Sequence, residues 1–387
     1  MNPLSSGPKK PVLVWIYGGR FLVGTASTKV YSPAYMMDHD IVMVSIQYRV
    51  GPYGFLSSGD ESAPGNYGLL DQVLALKWIQ QNIALFGGDP NSVTVSGHSA
   101  GSASAHMHML SPLSKGLVHK VVSLSGTGVN YWANRNTQHG FYARKLAEIM
   151  ECPIDNSEVM MQCLRRAHPI KLTQAQWKLH DYFHKNPAKL PLSTFLPRVD
   201  KESESPFMPE TGIDLIKSGK FEKLPWMVGL TSQEGAWYVS TLYGQNNMTY
   251  LKEFDKKLED VIQALITEHL LGTDVSPKGR KRCTCTFSKY VTFRIFQNMI
   301  KALKFYTNGE PLADINQRVP MAEFSSDLIF NTETLLALHL QCRKSQAPIY
   351  FYQFNYRGKW SFAHEFEETP HDYEGVAHLD DIRFYMK

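Results

Sequence analysis

Short apolar runs alternate along the chain with stretches whose apolar residues return every three or four positions, and this alternation predicts an α/β protein. Six runs read as strands: Val12–Tyr17, Ile41–Tyr48, Val93–Ser96, Val121–Leu124, Trp226–Leu230 and Ile349–Phe354. Most are continuous and rich in β-branched and aromatic residues, as strands covered on both faces should be. One helix stands out. Leu69, Val73, Leu76, Ile79, Ile83 and Phe86 form a single apolar stripe, and Gly87-Gly88 followed by Pro90 bring it to a stop. Asp89 to Val93 then turns the chain straight into the next strand. The stretch from Leu251 to Tyr306 reads as mostly helical, carries no recognisable chemistry, and suits helices packed over a sheet. No internal repeat or low-complexity linker divides the sequence.

Composition changes this picture little. The chain has 387 residues, 43% hydrophobic and 20% charged, with a net charge of +4, which is ordinary for a globular protein. The dense basic run Lys278-Gly279-Arg280-Lys281-Arg282 is too short for a phosphate-binding surface, so no nucleic-acid partner is expected. No uncharged apolar stretch approaches the roughly 18 residues that span a bilayer. Lys9-Lys10 before Val12–Ile16 faintly resembles a signal peptide, but the apolar run is short and leads into Gly-Gly-Arg, so a buried strand is the better reading. Five cysteines are present. Cys152 and Cys163 could close a short loop, contributing about 3 kcal/mol in an oxidising compartment. Cys283 and Cys285 lie too close for an easy mutual disulfide and have no nearby partners for a metal site. Asn247-Met248-Thr249 is a glycosylation acceptor pattern, relevant to a secreted protein.

Gly97-His98-Ser99-Ala100-Gly101 carries the central chemical signal. A strand (Val93–Ser96) precedes it, and Ser102–Met107, rich in small residues, reads as the start of a helix. A nucleophile elbow needs that strand–turn–helix context, with glycines that let the two backbones approach. The following helix would aim its positive end at a developing oxyanion. Tyr17-Gly18-Gly19-Arg20-Phe21 follows the first strand, where hydrolases of this kind keep a glycine-rich oxyanion loop. A serine hydroxyl also needs a base, and the base an acid to orient it. Glu234 follows the strand Trp226–Leu230 and suits the acid, although Thr231-x-x-Glu234 equally reads as a helix capping box. His364, His371 and His378 all follow the last strand, and pattern alone does not choose among them.

The run Gly65–Gln72 continuing through Phe86-Gly87-Gly88-Asp89-Pro90 into Gly97–Gly101 resembles the type-B carboxylesterase, or cholinesterase-like, family. Val14–Gly19 and Tyr48–Ser57 match it as well. The similarity is dense from Pro11 to about Ala133, thin through most of Leu251 to Ala347, and returns at Cys152 and Cys163, Thr231–Gly235 and Gly375–His378. The sequence looks particularly like insect non-specific esterases, with His rather than Glu before the serine. The resemblance implies an α/β-hydrolase fold, a mostly parallel sheet flanked by helices, with residues 1–387 forming a single partial domain. It implies Ser99 as nucleophile, Glu234 as acid and His378 as base. The oxyanion donors would be the N–H groups of Gly19, Arg20 and Ala100, Trp132 would shape the acyl pocket, and Cys152 and Cys163 would form the family's second disulfide. Relative to the family, Arg20 replaces the third glycine of the oxyanion loop, and upstream strands and C-terminal helices are missing.

The function expected is hydrolysis of apolar carboxylic esters through an acyl-serine intermediate, with a small-molecule ester as partner and no metal or organic cofactor. The alternative is a catalytically impaired or non-catalytic cholinesterase-like interaction protein, which Arg20 would favour. The family and the cysteine pair favour secretion of a full-length protein.

Overall fold

The computed structural model describes residues 7–134, 138–184, 193–243, 252, 255–256, 298–311, 314–366, 375–384 and 386. Six strands form one sheet: β1 (Lys10–Ile16), β2 (Val42–Ser45), β3 (Gly88–His98), β4 (Lys120–Leu124), β5 (Trp226–Thr231) and β6 (Ile349–Phe354). Their order is β2-β1-β3-β4-β5-β6, and every pairing is parallel. The helices are α1 (Gly51–Phe55), α2 (Tyr67–Asn82), α3 (Ala100–Leu110), α4 (His139–Ile149), α5 (Ser157–Arg166), α6 (Pro169–His184), α7 (Gly212–Ser218), α8 (Ala236–Tyr243), α9 (Arg318–Ser326) and α10 (Thr332–Cys342). Residues 298–307 are also helical, in keeping with the expectation for the end of the 251–306 stretch.

All six expected strands form, β6 with the expected bounds and the other five with shifted ends. β3 begins at Gly88 rather than Val93, because Lys10 pairs with Gly88 before an irregularity in register and the ladder resumes at Val12 and Val93. The turn expected over Asp89–Val93 is therefore strand. β2 stops at Ser45, and Tyr48 instead stacks on Tyr17 with ring centroids 4.5 Å apart. The two hydroxyls donate to each other's backbone carbonyls, at 2.9 and 2.8 Å. Burial on both faces weakens toward one edge of the sheet: in β5 Met227 is 40% exposed, and in the edge strand β6 Tyr350 is 61% and Phe351 44% exposed.

Leu69, Val73, Leu76 and Ile79 on α2 are buried as the stripe predicts, and Ile83 continues it in a 3-10 turn closed by Gly87 at φ 80°. Phe86 departs from the stripe and lies exposed. Each buried aliphatic side chain of this kind contributes roughly 1.5–3 kcal/mol. Helix α3 packs across β1, β3 and β4, and every one of its residues is buried. Its small residues permit this. A Cβ on Gly101 would sit 2.0 Å from the Ile16 carbonyl oxygen. A disulfide joins Cys152, just after α4, to Cys163 in α5, with Cα atoms 5.8 Å apart. Asn247, Cys283, Cys285, the basic run at Lys278–Arg282 and His371 lie outside the described residues.

Candidate active site

Parallel strands bring their carboxyl ends to one side of the sheet, where open α/β folds bind ligands. The candidate residues sit there in spatial order: Gly19 and Arg20 after β1, Ser99 after β3, Glu234 after β5 and His378 after β6. Ser99 holds φ 56° and ψ −120°, a conformation that costs an L-residue about 1–3 kcal/mol. Surrounding contacts impose it. The Ser99 N–H donates to the Leu124 carbonyl at 2.9 Å, and the Ser99 carbonyl accepts from the Ala103 N–H at 2.9 Å. A Cβ on Gly97 would fall 2.4 Å from the Gly101 backbone, so only glycine allows strand and helix to meet this closely. The turn places Ser99 at the amino end of the 11-residue helix α3, where the helix dipole favours negative charge.

The loop after β1 is equally constrained. Gly19 holds φ 120°, and Arg20 and Phe21 hold φ 57° and 60°. The Leu22 and Val23 N–H groups donate to the Gly19 carbonyl at 3.0 and 3.1 Å. The Ser193 hydroxyl donates to the Arg20 carbonyl at 2.9 Å. Among the described residues, the N–H groups of Gly19, Arg20 and Ala100 have no hydrogen-bond partner. Such open donors are what an oxyanion requires.

Glu234 is fully buried, and its carboxylate gathers three donors. Oε1 accepts from the Ser125 hydroxyl at 2.6 Å and the Thr231 N–H at 2.7 Å. Oε2 lies 2.6 Å from His378 Nδ1. The capping-box reading is thus half realised: the glutamate reaches the Thr231 N–H, while the buried Thr231 hydroxyl has no partner. With Nδ1 donating to Glu234, the neutral His378 tautomer leaves Nε2 as an acceptor. In the resting structure Ser99 Oγ has no hydrogen bond among the described residues, a contact that often tightens only with substrate bound.

His364 goes elsewhere, with Nε2 3.0 Å from an Arg357 guanidinium nitrogen. Trp132 is buried and donates its indole N–H to the Ile329 carbonyl at 2.7 Å. A Cβ on Gly126 would touch both the Trp132 ring (2.9 Å) and the Ser99 carbonyl oxygen (3.0 Å), so the indole lies near the Ser99 backbone. Sequence reasoning missed three participants. Ser125 holds Glu234, Phe330 packs its ring 4.6 Å from that of His378, and Asp380 fixes the turn carrying His378. The Asp380 carboxylate accepts from the Ala377 N–H (2.8 Å), the Phe362 N–H (2.7 Å) and the Ser361 hydroxyl (2.8 Å). Only Ser125 left a signal, as the Ser-Gly step that ends β4.

A strained serine between a central parallel strand and a helix, with a buried His–Glu pair from later strands, marks the α/β-hydrolase class. The pattern of the Carboxylesterase family matches residues 2–387, and the chain belongs to that family. It is 33% identical to juvenile hormone esterase of Tribolium castaneum, over 97% of this chain and 62% of that protein. It is 31% identical to esterase FE4 of Myzus persicae, over 99% and 62%, and to human bile salt-activated lipase, over 97% and 46%. The crystal structure of Manduca sexta juvenile hormone esterase with OTFP covalently attached superposes with a TM-score of 0.77 at 25% identity, covering 99% of this chain and 66% of that one. The chain therefore spans about 62% of the length of these insect relatives. Among the described residues, no helix is long and apolar enough to cross a membrane.

Proposed function

We propose that this chain is a serine carboxylic ester hydrolase built on a single, partial α/β-hydrolase domain. The observation that carries the reading is the buried Glu234–His378 hydrogen bond of 2.6 Å beside a serine held on a strained turn. Ser99 Oγ attacks the ester carbonyl carbon while His378 Nε2 takes its proton. The tetrahedral oxyanion accepts from the Gly19, Arg20 and Ala100 N–H groups. The carbon–alkoxy bond then breaks, and His378 returns the proton to the departing alcohol, leaving an acyl-serine. Water repeats the cycle and releases the acid. Glu234 holds the imidazole tautomer and stabilises its cation. Trp132 and Phe330, whose ring centroids lie 5.5 Å apart with Phe330 against His378, supply apolar surface at the candidate site, which supports a preference for apolar acyl groups. The covalent attachment of OTFP in the Manduca sexta juvenile hormone esterase structure supports a covalent route. The Cys152–Cys163 disulfide suits an oxidising compartment, which we propose as the chain's location.

A fluorophosphonate probe tests this. The purified chain is expected to take up one equivalent, at Ser99, and the Ser99→Ala variant none. A folded wild-type chain that stays unlabelled would overturn the esterase reading. It would favour the binding-protein alternative, to which the bulky Arg20 in the oxyanion loop gives its one specific support.

A further inference from the structure

His98 immediately precedes Ser99, yet the mechanism above does not use it. Its side chain is 1% exposed, and its ring centroid lies 4.3 Å from that of His378, with the planes tilted by 52°. Its Nε2 is buried without a hydrogen-bond partner. That distinguishes it from the two other fully buried histidines. His108 has contacts at both ring nitrogens, to Ser114 Oγ (2.7 Å) and Gln72 Oε1 (2.9 Å), and His106 accepts from the Gly128 N–H at 2.9 Å and meets Gln341. A buried polar group left unpaired is disfavoured unless its position serves something else. Burial and the adjacent His378 both hold His98 well below the usual histidine range, so it stays neutral.

The Glu234–His378 hydrogen bond fixes one edge of the catalytic ring but leaves rotation about that bond open. With no resting hydrogen bond from Ser99, other contacts must hold the ring in place, and two are recorded: His98 and Phe330. We infer that His98 is a positioning residue for the base, its neutral ring packing on His378 and keeping the imidazole aligned with Ser99. This rests on the proposed role of His378 as general base. Two neighbouring imidazoles do not both carry charge in a dry site, so the proton taken from Ser99 stays on His378 until it returns to the leaving group. A carboxylate at position 98 would act oppositely, binding the proton on His378 more tightly. Two titratable groups meet the ring: Glu234, from the β5–α8 turn, and His98, from β3. The 327–331 segment presents the uncharged Phe330. On its own turn, Asp380 is occupied by Ser361, Phe362 and Ala377.

The test uses the full chain and p-nitrophenyl acetate, with kcat and KM followed between about pH 5 and 9. His98→Gln removes the ring and is expected to lower kcat about tenfold with KM changed less than about twofold. His98→Phe restores a ring without a titratable nitrogen and is expected to recover most of that loss. His98→Glu is expected to move the acid limb of kcat/KM upward by about one pH unit or more. Retained kcat in His98→Gln, equal losses in the Gln and Phe variants, or an unmoved limb in a folded His98→Glu would each overturn the inference. If His98→Glu fails to fold, the Gln and Phe pair decides alone. His378→Gln separates the two levels. If it keeps activity, the base assignment and this inference fall together. If it is inactive while the His98 variants show no effect, only the inference falls.

Discussion

Helix α3 and the strand ends above it each bury histidine, and they treat it differently. On α3, His106 stacks flat on Trp226, with centroids 4.6 Å apart and planes at 10°. His108 is tied to Ser114 and Gln72. Burial pushes both down to about 3, and all their partners are neutral. At the strand ends, His378 is also buried but has Glu234 on one nitrogen and no hydrogen-bond partner on the other among the described residues. Burial alone makes a histidine a neutral filler. A buried carboxylate partner and an open nitrogen suit His378 to the base role proposed for it.

The contrast is broken most sharply by removing one member of each group. Ser99→Ala and His378→Ala should each lower kcat by at least about 10⁴-fold, and the double variant little further. His108→Leu should do the reverse. It should cost about 1–3 kcal/mol of stability by leaving Gln72 and Ser114 unpaired, while the folded fraction keeps its turnover. Turnover lost in His108→Leu at intact fold would erase the distinction. Denaturant melts and active-site titration measure both sides.

Glu234→Gln tests the carboxylate itself. An amide can donate to His378 Nδ1 and so hold the wrong tautomer, and a loss of about 10³–10⁴-fold in kcat is expected. A loss below about tenfold would mean that geometry without charge suffices.

Acid stability sharpens the other half. His106 and His108 are held to about 3 in the folded state, against an unfolded value of about 6.5. The unfolded chain therefore binds protons first as pH falls, so this stability is full above about pH 6.5 and is lost below it. At pH 5 each histidine should remove about 2 kcal/mol. Urea midpoints at about pH 7.5 and 5 would measure this. Equal midpoints would show that these imidazoles titrate alike in both states.

The smallest effect is expected at Arg20, whose φ of 57° suits glycine. Arg20→Gly should relax about 1 kcal/mol of strain and raise kcat/KM less than about tenfold, most clearly for bulky acyl esters. An unchanged or lower value across short and long acyl chains would show that the guanidinium is tolerated or useful.

Local pattern revealed much of this architecture. Continuous apolar runs located all six strands, and periodicity located α2, because burial on a sheet leaves a short-range imprint on composition. The elbow was equally local, since strand, glycines and small-residue helix occupy consecutive positions. Features set by distant neighbours were illegible. β3 starts early because Lys10 pairs with Gly88, across 78 positions that share no pattern. Phe330 reaches His378 through a segment whose apolar content looks like any packed helix. Choosing His378 over His364 required family resemblance, because all three late histidines follow the same strand. Glu234 carried two readings for a physical reason: one carboxylate both caps the Thr231 N–H and holds the imidazole.

The strained backbone at the strand ends has an evolutionary consequence. Of nine non-glycine residues with positive φ among those described, Arg20, Phe21, Ser99, Ser125 and Leu379 lie in the loops that carry the candidate site. Each such residue is held against its preference at about 1–3 kcal/mol. At Ser99, a change to glycine would relax the backbone and delete the proposed nucleophile in one step. A gene copy released from selection for hydrolysis therefore has a downhill route to a sturdier, silent protein. Stability alone therefore gives no reason to keep serine at this turn.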